Sequence, residues 1–440
     1  MTDKNQTNRR SDKMGFNATW SMAVGGMVGG GIFSVLGVVI AVAGSWAWLS
    51  FVVAGLIALA TGYSYARLAD RFGEGGGAFI FLREMHYERV GGGLSWVLIL
   101  GYVLTLSVYA FTFGHYLSHV LGTGDWLARF AALAVVVVLM YVNLLGVGES
   151  ASIEVITVWG KLIILLGLAA FGLWRWQSAQ LTVGLEPPSP LGAIVGAASV
   201  FMAYEGFQLL TYDYDDIRQP RRTLPRAIIT AIVTVIAVYV AVALGATMLV
   251  GADTIVAQKE IALAVAGEAA LGTLGLVLVT IAAALSTGSA INATLFATAR
   301  LTHEVAADGE LPSVLAHRNE RGVPDRAIVG LGVIGGVLAM FGALATLVEA
   351  ASLAFLITFA IVNTLAISQF KRCRWTAVVG ALGASAAALI LAWRLAHNAP
   401  WVLGGLFVFS LVAMFGRPLL LRRTRHGRND SDRADDGSST

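Results

Sequence analysis

Residues 25–33 read GGMVGGGIF and lie inside a charge-free apolar run that extends from Met14 to Ala66. A glycine inside a helix costs roughly 1 kcal/mol relative to alanine, so three adjacent glycines weaken a helix here. Backbone groups that are freed at membrane depth must find partners in protein, water or ligand. The stretch therefore predicts an interrupted helix, although its small-xxx-small spacing, taken alone, favours close helix packing.

A second candidate interruption lies at residues 201–207, which read FMAYEGF and place Glu205 beside Gly206 in an apolar segment. The acid is either a paired structural carboxylate or part of a functional break. If the chain consists of two five-helix repeats, its sixth helix corresponds to its first. Interrupted helices at corresponding positions indicate a transport site, and we therefore predict that both helices are broken.

The composition indicates a membrane protein. Of the 440 residues, 57% are hydrophobic and 13% are charged, whereas soluble domains carry about 25% charged residues. The mean hydropathy is +0.74, so lipid must be the solvent for most of the surface. The single cysteine, Cys373, excludes an intrachain disulfide and a cysteine metal cluster. We expect neither a metal site nor an organic cofactor, and no catalytic pair at membrane depth.

Twelve apolar segments of helical length predict an all-α polytopic membrane protein with 12 transmembrane helices. They lie near residues 17–42, 46–67, 91–121, 128–147, 151–174, 191–212, 227–251, 269–299, 327–346, 350–370, 375–393 and 400–416. With the N-terminus placed in the cytoplasm, 25 of the 30 Lys and Arg residues fall in cytoplasmic segments and four in outer ones. This asymmetry follows the positive-inside rule and predicts that both termini are cytoplasmic.

The same pattern predicts one transmembrane domain at residues 14–420, with a cytoplasmic tail at 1–13 and a disordered cytoplasmic tail at 421–440. Within the domain, repeat one would span residues 14–174, repeat two 191–370, and two peripheral helices 375–416. Because membrane topology accounts for the basic residues, nucleic acid is not an expected partner. The expected partners are the lipid bilayer and a small solute, and the oligomeric state is left open.

Lys161 lies in the middle of the apolar segment 151–174, about 15 Å or more from either end of a helix. A lysine can extend its ammonium to water only near a helix end, and a charge at the centre of a span costs roughly 2.5–3.5 kcal/mol. Two interpretations account for it. Lys161 takes part in ion or proton coupling, or its permanently charged ammonium ties broken-helix carbonyls together.

Five stretches together resemble the amino acid–polyamine–organocation permeases. They are residues 26–33 (GMVGGGIF), 74–81 (EGGGAFIF), 143–146 (NLLG), 204–207 (YEGF) with 216–227 (DIRQPRRTLPRA), and 284–289 (ALSTGS) with 308–312 (DGELP). They occur in the family's order, and the resemblance covers about residues 15–420. Gly30 stands where many members have serine or alanine.

The resemblance implies a leucine-transporter-like fold with a 5+5 inverted repeat and broken helices 1 and 6. It places the substrate carboxylate on N–H groups near Val28, Gly29, Gly30 and Gly31. Carbonyls around Met202, Ala203, Tyr204 and Glu205 would hold the substrate ammonium, beside Gly206. Tyr204 would be a lid, and Phe207 would line the side-chain pocket with Tyr102, Thr105 and Tyr109. Lys161 would replace a sodium ion between helices one and eight, with Ser286, Thr287 or Ser289 as hydrogen-bond partners.

The expected function is secondary active transport of amino acids or related amines across the plasma membrane, as proton-coupled symport by alternating access. Protons are the expected coupling ion, and sodium is the less favoured one. The alternative is an uncoupled facilitator or exchanger of amino acids or polyamines. An enzyme is not expected. Three roles stay open for Glu205: it selects a cationic substrate, shares a proton with Lys161, or ties two half-helices together.

Overall fold

The computed structural model describes residues 13–73, 75, 77–146, 151–185, 189–370 and 374–416. Within these ranges the secondary structure is helical, and the one extended pairing is an isolated parallel bridge between Met14 and Ile217. The prediction of an all-α chain is therefore confirmed for this part of the sequence. The predicted tails at 1–13 and 421–440 lie outside the described residues, apart from Lys13.

The long α-helices overlap the predicted apolar segments, whereas the shorter helices at Gly77–Glu84, Ala252–Ala257 and Ala262–Leu271 were not predicted. In chain order the α-helices are α1 (Phe16–Ala43), α2 (Ala47–Phe72), α3 (Gly77–Glu84), α4 (Glu88–Val120), α5 (Asp125–Leu144), α6 (Ala151–Trp174), α7 (Pro190–Ser199), α8 (Pro220–Val250), α9 (Ala252–Ala257), α10 (Ala262–Leu271), α11 (Thr273–Ala307), α12 (Asp325–Phe341), α13 (Leu344–Gln369), α14 (Arg374–Asn398) and α15 (Pro400–Leu411). Gly44 separates α1 from α2 with a φ of 56°, which a residue without a Cβ adopts readily.

Among the described residues, eight helices are long and apolar enough to cross a membrane, or nine if one bent pair forms a single span. One of the eight is the 57-residue stretch Phe16–Phe72, which the turn at Gly44–Trp46 divides into α1 and α2. Helix α12 has 17 residues, and the apolar helix at Pro400–Phe415 is also short. The polytopic membrane class is thus confirmed, whereas the number of twelve spans stays a prediction.

The prediction that the glycine run interrupts the first helix is wrong, because α1 is continuous from Phe16 to Ala43. Its glycines instead allow close packing, the alternative that their spacing favours. A Cβ on Gly29 would lie 2.6 Å from the Cβ of Ala290, and one on Gly30 would overlap the ring of Tyr109. Close approach of neighbouring helices therefore compensates for the low helix propensity of glycine.

The predicted break near Glu205 is confirmed. Helix α7 ends at Ser199, a 3₁₀ turn covers Phe201–Tyr204, and a second one covers Phe207–Thr211. Between the turns Gly206 has a φ of 129°, a conformation that a side chain would strain. The helix Pro190–Ser199 and the segment Phe201–Thr211 that follows it meet at an angle of 61°. We call α7 and these two 3₁₀ turns the broken helix.

Helix α1 lies at the centre of the fold and packs against α6, α8, α11 and the broken helix. Its middle is buried on every side: Met27, Val28 and Ile32 have no exposed surface. A helix buried all round is apolar all round, which explains why its sequence shows no polar face. The two stretches singled out by their glycines, residues 25–33 and 201–207, thus meet in the protein interior.

Candidate functional site

Three side chains from three different helices bind backbone carbonyls of α1 near its glycine run. The Lys161 ammonium on α6 donates to the Gly25 carbonyl at 3.2 Å. The Ser286 hydroxyl on α11 donates to the Val28 carbonyl at 2.5 Å. The Tyr239 hydroxyl on α8 donates to the Met27 carbonyl at 2.6 Å. A carbonyl oxygen has two lone pairs, so α1 can stay helical and still be held from three sides.

Lys161 is 2% exposed, which agrees with its predicted depth. Its bond to the Gly25 carbonyl brings the ammonium to α1, as the predicted position in helix five requires. Of the predicted hydroxyl partners, Ser286 donates to the Val28 carbonyl, Thr287 to the Ala283 carbonyl within α11, and Ser289 to Glu154 Oε2. Lys161 therefore ties α6 to a helix-one carbonyl, although that helix is not broken.

The structure brings the predicted substrate-binding stretches together but leaves little space between them. Gly31 lies against Ala203 so closely that a Cβ would be 3.0 Å from the Ala203 carbonyl oxygen. The Tyr239 hydroxyl lies 2.9 Å from that same oxygen, as well as close to Met27. The Tyr204 hydroxyl donates to the Phe51 carbonyl on α2 at 2.7 Å. Tyr204 is therefore packed against α2 and does not form a lid in this structure.

Glu205 is 2% exposed, and its carboxylate binds Gln208, which lies across the helix break. The Gln208 amide donates to Glu205 Oε1 at 3.0 Å and to the Tyr102 hydroxyl at 3.3 Å. The Gly206 N–H donates to Gln208 Oε1 at 3.0 Å. These bonds join the residues on either side of the break, as the third role left open for Glu205 requires. The sequence analysis missed Gln208. The one feature that could have indicated it is the amide side chain three residues after Glu205.

A cavity of about 310 Å³ opens beside the N-terminal half of α1. Its described lining includes Gly25 and Gly26 from α1, Glu154 from α6 and Ser289 from α11, but none of residues 28–31 or 202–207. It lies on the side that the basic residues predict to be cytoplasmic. The contact between residues 28–31 and 202–207 is therefore closed, while the cavity on the predicted cytoplasmic side of it is open.

Two hydrogen-bonded pairs of polar side chains lie in the cavity wall, between helices that are otherwise largely apolar. Ser289 donates to Glu154 Oε2 at 2.8 Å, and Asn143 donates to Asn292 Oδ1 at 2.6 Å. The sequence analysis did not assign Glu154 to the site. Its signal was the seven-residue spacing from Lys161, which puts both side chains on one face of α6.

The cavity mouth is tied together by backbone and side-chain bonds. The Met14 N–H donates to the Asp216 carbonyl at 2.8 Å, and the Arg218 N–H donates to the Met14 carbonyl at 2.8 Å. Arg300 on α11 donates to Asp213 at 3.2 Å. The start of α1 is thus joined to the segment after the broken helix, so the two are expected to move together.

We expect Tyr239→Phe to lower the stability of the folded protein by about 1–2 kcal/mol, because one buried hydroxyl is lost from two carbonyls. The ring contacts with Phe51 and Tyr204, at centroid distances of 5.3 and 5.4 Å, should remain. The thermal midpoint of the purified protein in detergent measures the change. Tyr141→Phe, at a side chain that is 63% exposed, is the control. Equal midpoints for the two variants would contradict the role of Tyr239.

The family model for amino acid permeases matches residues 14–421. The inner membrane transport protein YbaT of Escherichia coli is 31% identical over 412 residues, which cover 90% of this chain and 94% of YbaT. An uncharacterized protein of Methanocaldococcus jannaschii is 32% identical over 76% of each chain. The serine/threonine exchanger SteT of Bacillus subtilis is 25% identical over 70% of this chain and 71% of SteT.

These matches confirm the resemblance that the five sequence stretches indicate. The family model covers all the helices of the described structure, from the start of α1 to the end of α15. The chain therefore belongs to the amino acid permease family, and it is a membrane transporter and not an enzyme.

Proposed function

We propose that the protein is a secondary active transporter that carries amino acids or related amines across the plasma membrane by alternating access. The observation that carries this proposal is the closed contact of α1 with the broken helix above an open 310 Å³ cavity. Alternating access requires a state in which the transport path is closed at its centre and open to one side of the membrane. Both termini would be cytoplasmic, and the cavity would face the cytoplasm.

The proposed architecture is twelve spans in a leucine-transporter-like 5+5 inverted repeat, within one domain at residues 14–420. The substrate would bind between residues 28–31 and 202–207, which already touch. In the described state the N–H groups of Gly29, Gly30 and Gly31 belong to a continuous helix. Binding would require α1 and the broken helix to move apart at this contact. Substrate would thereby move the helix that closes the path.

We propose protons as the coupling ion and Lys161 as the group that carries them. Its ammonium contacts the carbonyl of Gly25, at the beginning of the glycine run. Gain or loss of the proton would change the strength of that contact, because a hydrogen bond from a charged donor is roughly twice as strong as a neutral one. Protonation would in this way be linked to the position of α1. An uncoupled facilitator or exchanger is the alternative.

The purified protein in liposomes provides the test of the proposed function. Uptake of the twenty amino acids and of common polyamines would be measured with and without imposed gradients of H⁺ and Na⁺. We expect at least one of these compounds to accumulate when an inward proton gradient is imposed. Equal uptake with and without gradients would support the facilitator, and no uptake of any compound would overturn the proposal.

We expect Glu205→Gln to change the uptake of arginine and leucine by the same factor. Glutamine keeps an oxygen that can accept the Gln208 amide, so the bond across the helix break should survive. If Glu205 instead selects cationic substrates, arginine uptake alone should fall. The measurement is the ratio of the two initial uptake rates, with Glu205→Ala as the variant that removes the bond as well as the charge.

A further inference from the structure

Glu154 reaches into the cavity through space that only a glycine leaves open. Its Oε1 lies against Gly25 of α1, where any Cβ would overlap it. Its Oε2 accepts a hydrogen bond from Ser289 of α11 at 2.8 Å. The carboxylate is thus held between α1 and α11 from its base on α6. A carboxylate that is already held in place loses less conformational entropy on binding a substrate than a mobile surface carboxylate does.

The charges that line the cavity are mainly negative. Four acidic residues line it, namely Glu154, Asp213, Asp216 and Glu304, together with one basic residue, Arg300. Arg300 is bonded to Asp213. No ion pair within 4.0 Å joins Glu154 to a cationic side chain in the described part of the chain. A cleft with charges of one sign and apolar walls concentrates ions of the opposite sign, so this cavity favours cations.

The cavity is also placed and sized for a small organic solute. Its volume of about 310 Å³ is at the lower end of the range for ligand pockets. It reaches Gly26, which packs so closely against Gly206 of the broken helix that a Cβ added to Gly26 would lie 3.0 Å from the Gly206 Cα. A solute that leaves the contact between α1 and the broken helix therefore enters the cavity beside Glu154.

We propose that Glu154, oriented by Ser289, is an ammonium-binding site at the cytoplasmic end of the transport path. The ligand class is a primary amine or the α-ammonium of an amino acid, which would donate to the Glu154 carboxylate. This site is separate from the carbonyls of the broken helix proposed above for the substrate ammonium. Its place on a transport path rests on the proposed function, whereas the binding of an amine does not.

Equilibrium binding to the purified protein in detergent tests the proposal, with putrescine, L-lysine and L-leucine amide as probes. Wild-type protein should bind at least one probe, measured by calorimetry and by a rise in thermal midpoint. Glu154→Gln keeps the shape and the acceptor for Ser289 but removes the charge. Its Kd should rise roughly 10- to 100-fold, the range for loss of one charge-assisted hydrogen bond.

Glu268→Gln is the matched control, because it removes the same charge from an exposed position on α10 that does not line the cavity. It should bind the probes like wild type. Gly25→Ala keeps the charge of Glu154 but should displace the carboxylate, and should weaken binding as much as Glu154→Gln does. The proposal is overturned if no probe binds wild-type protein, if Glu154→Gln binds normally, or if Glu268→Gln loses as much affinity.

Inhibition measured separately at the two faces of the membrane tests whether the Glu154 site lies on the transport path. Everted vesicles present the cytoplasmic face to the medium, and intact cells present the outer face. The probes should compete with labelled substrate at both faces. Glu154→Gln should raise the inhibitory concentration of the probes at the cytoplasmic face alone. An equal rise at both faces would overturn the assignment of the site to the cytoplasmic end. If probe binding depends on Glu154 but liposomes take up no substrate, the ammonium site stands and the proposed transport function fails.

Discussion

Gly30→Leu is expected to abolish uptake while the protein still reaches the membrane. A Cβ on Gly30 would overlap the Tyr109 ring on α4, so a leucine must push α1 and α4 apart at the proposed substrate site. Overpacking of this kind costs roughly 1–3 kcal/mol, which lowers the stability of a large helical domain without unfolding it. The measurement is initial uptake by cells, normalised to the amount of protein in the membrane.

Gly167→Leu is the matched control for this prediction. Gly167 lies inside α6, and a Cβ there would have no atom within 4 Å. It is therefore the same substitution in a membrane helix, without a clash, and uptake should stay at the wild-type level. Wild-type uptake by Gly30→Leu would contradict the placement of the site between α1, α4 and the broken helix.

Lys161→Met is expected to eliminate proton-driven accumulation while exchange of substrate across the membrane persists. Methionine keeps most of the side-chain length but cannot carry a proton. The Gly25 carbonyl loses its lysine donor but keeps its place in a continuous helix, so the protein should fold. Accumulation under an imposed proton gradient and substrate counterflow without a gradient are the two measurements in liposomes.

Lys259→Met, in the loop between α9 and α10, provides the control for loss of a lysine charge outside the proposed site. It should accumulate substrate like wild type. Should Lys161→Met still show substrate-driven proton uptake, Lys161 would not be the coupling group. Its bond to Gly25 would then be a purely structural tie, the second interpretation that its buried position allows.

Helix positions followed from the sequence because membrane helices depend on local hydropathy. The apolar segment predicted at residues 151–174 coincides with α6 at both ends. The break at Glu205 and Gly206 was also visible, because an acid beside a glycine is unfavourable in an unbroken apolar helix. These features depend on residues close together in the chain, and local patterns are sufficient to indicate them.

The continuity of α1 could not be predicted in the same way. Its glycines lower helix propensity locally, but packing against Ala290, Tyr109 and Ala203 decides whether the helix opens. Those contacts join residues that are far apart in the sequence. Glu154 was missed for a similar reason. A position one turn from a helix end ordinarily gives a side chain access to bulk water, whereas the fold places α1 and α11 around Glu154.

Tyr239 gave no signal in the sequence. It lies in the charge-free apolar part of α8 that begins at Ala227, where a tyrosine is ordinarily a packing residue. Only the crossing of α8 with α1 and the broken helix puts its hydroxyl between the carbonyls of Met27 and Ala203. Polar contacts between distant segments therefore account for most of what the sequence did not predict about the candidate site.

The most direct test concerns access to the cavity from the two sides of the membrane. Ala293 on α11 lines the cavity and would be replaced by cysteine in a Cys373→Ser background. Transport by alternating access predicts that a membrane-impermeant thiol reagent modifies this cysteine from the cytoplasmic side, and that transported substrate slows the modification. Equal and simultaneous modification from both sides, unaffected by substrate, would indicate an open channel and would contradict alternating access.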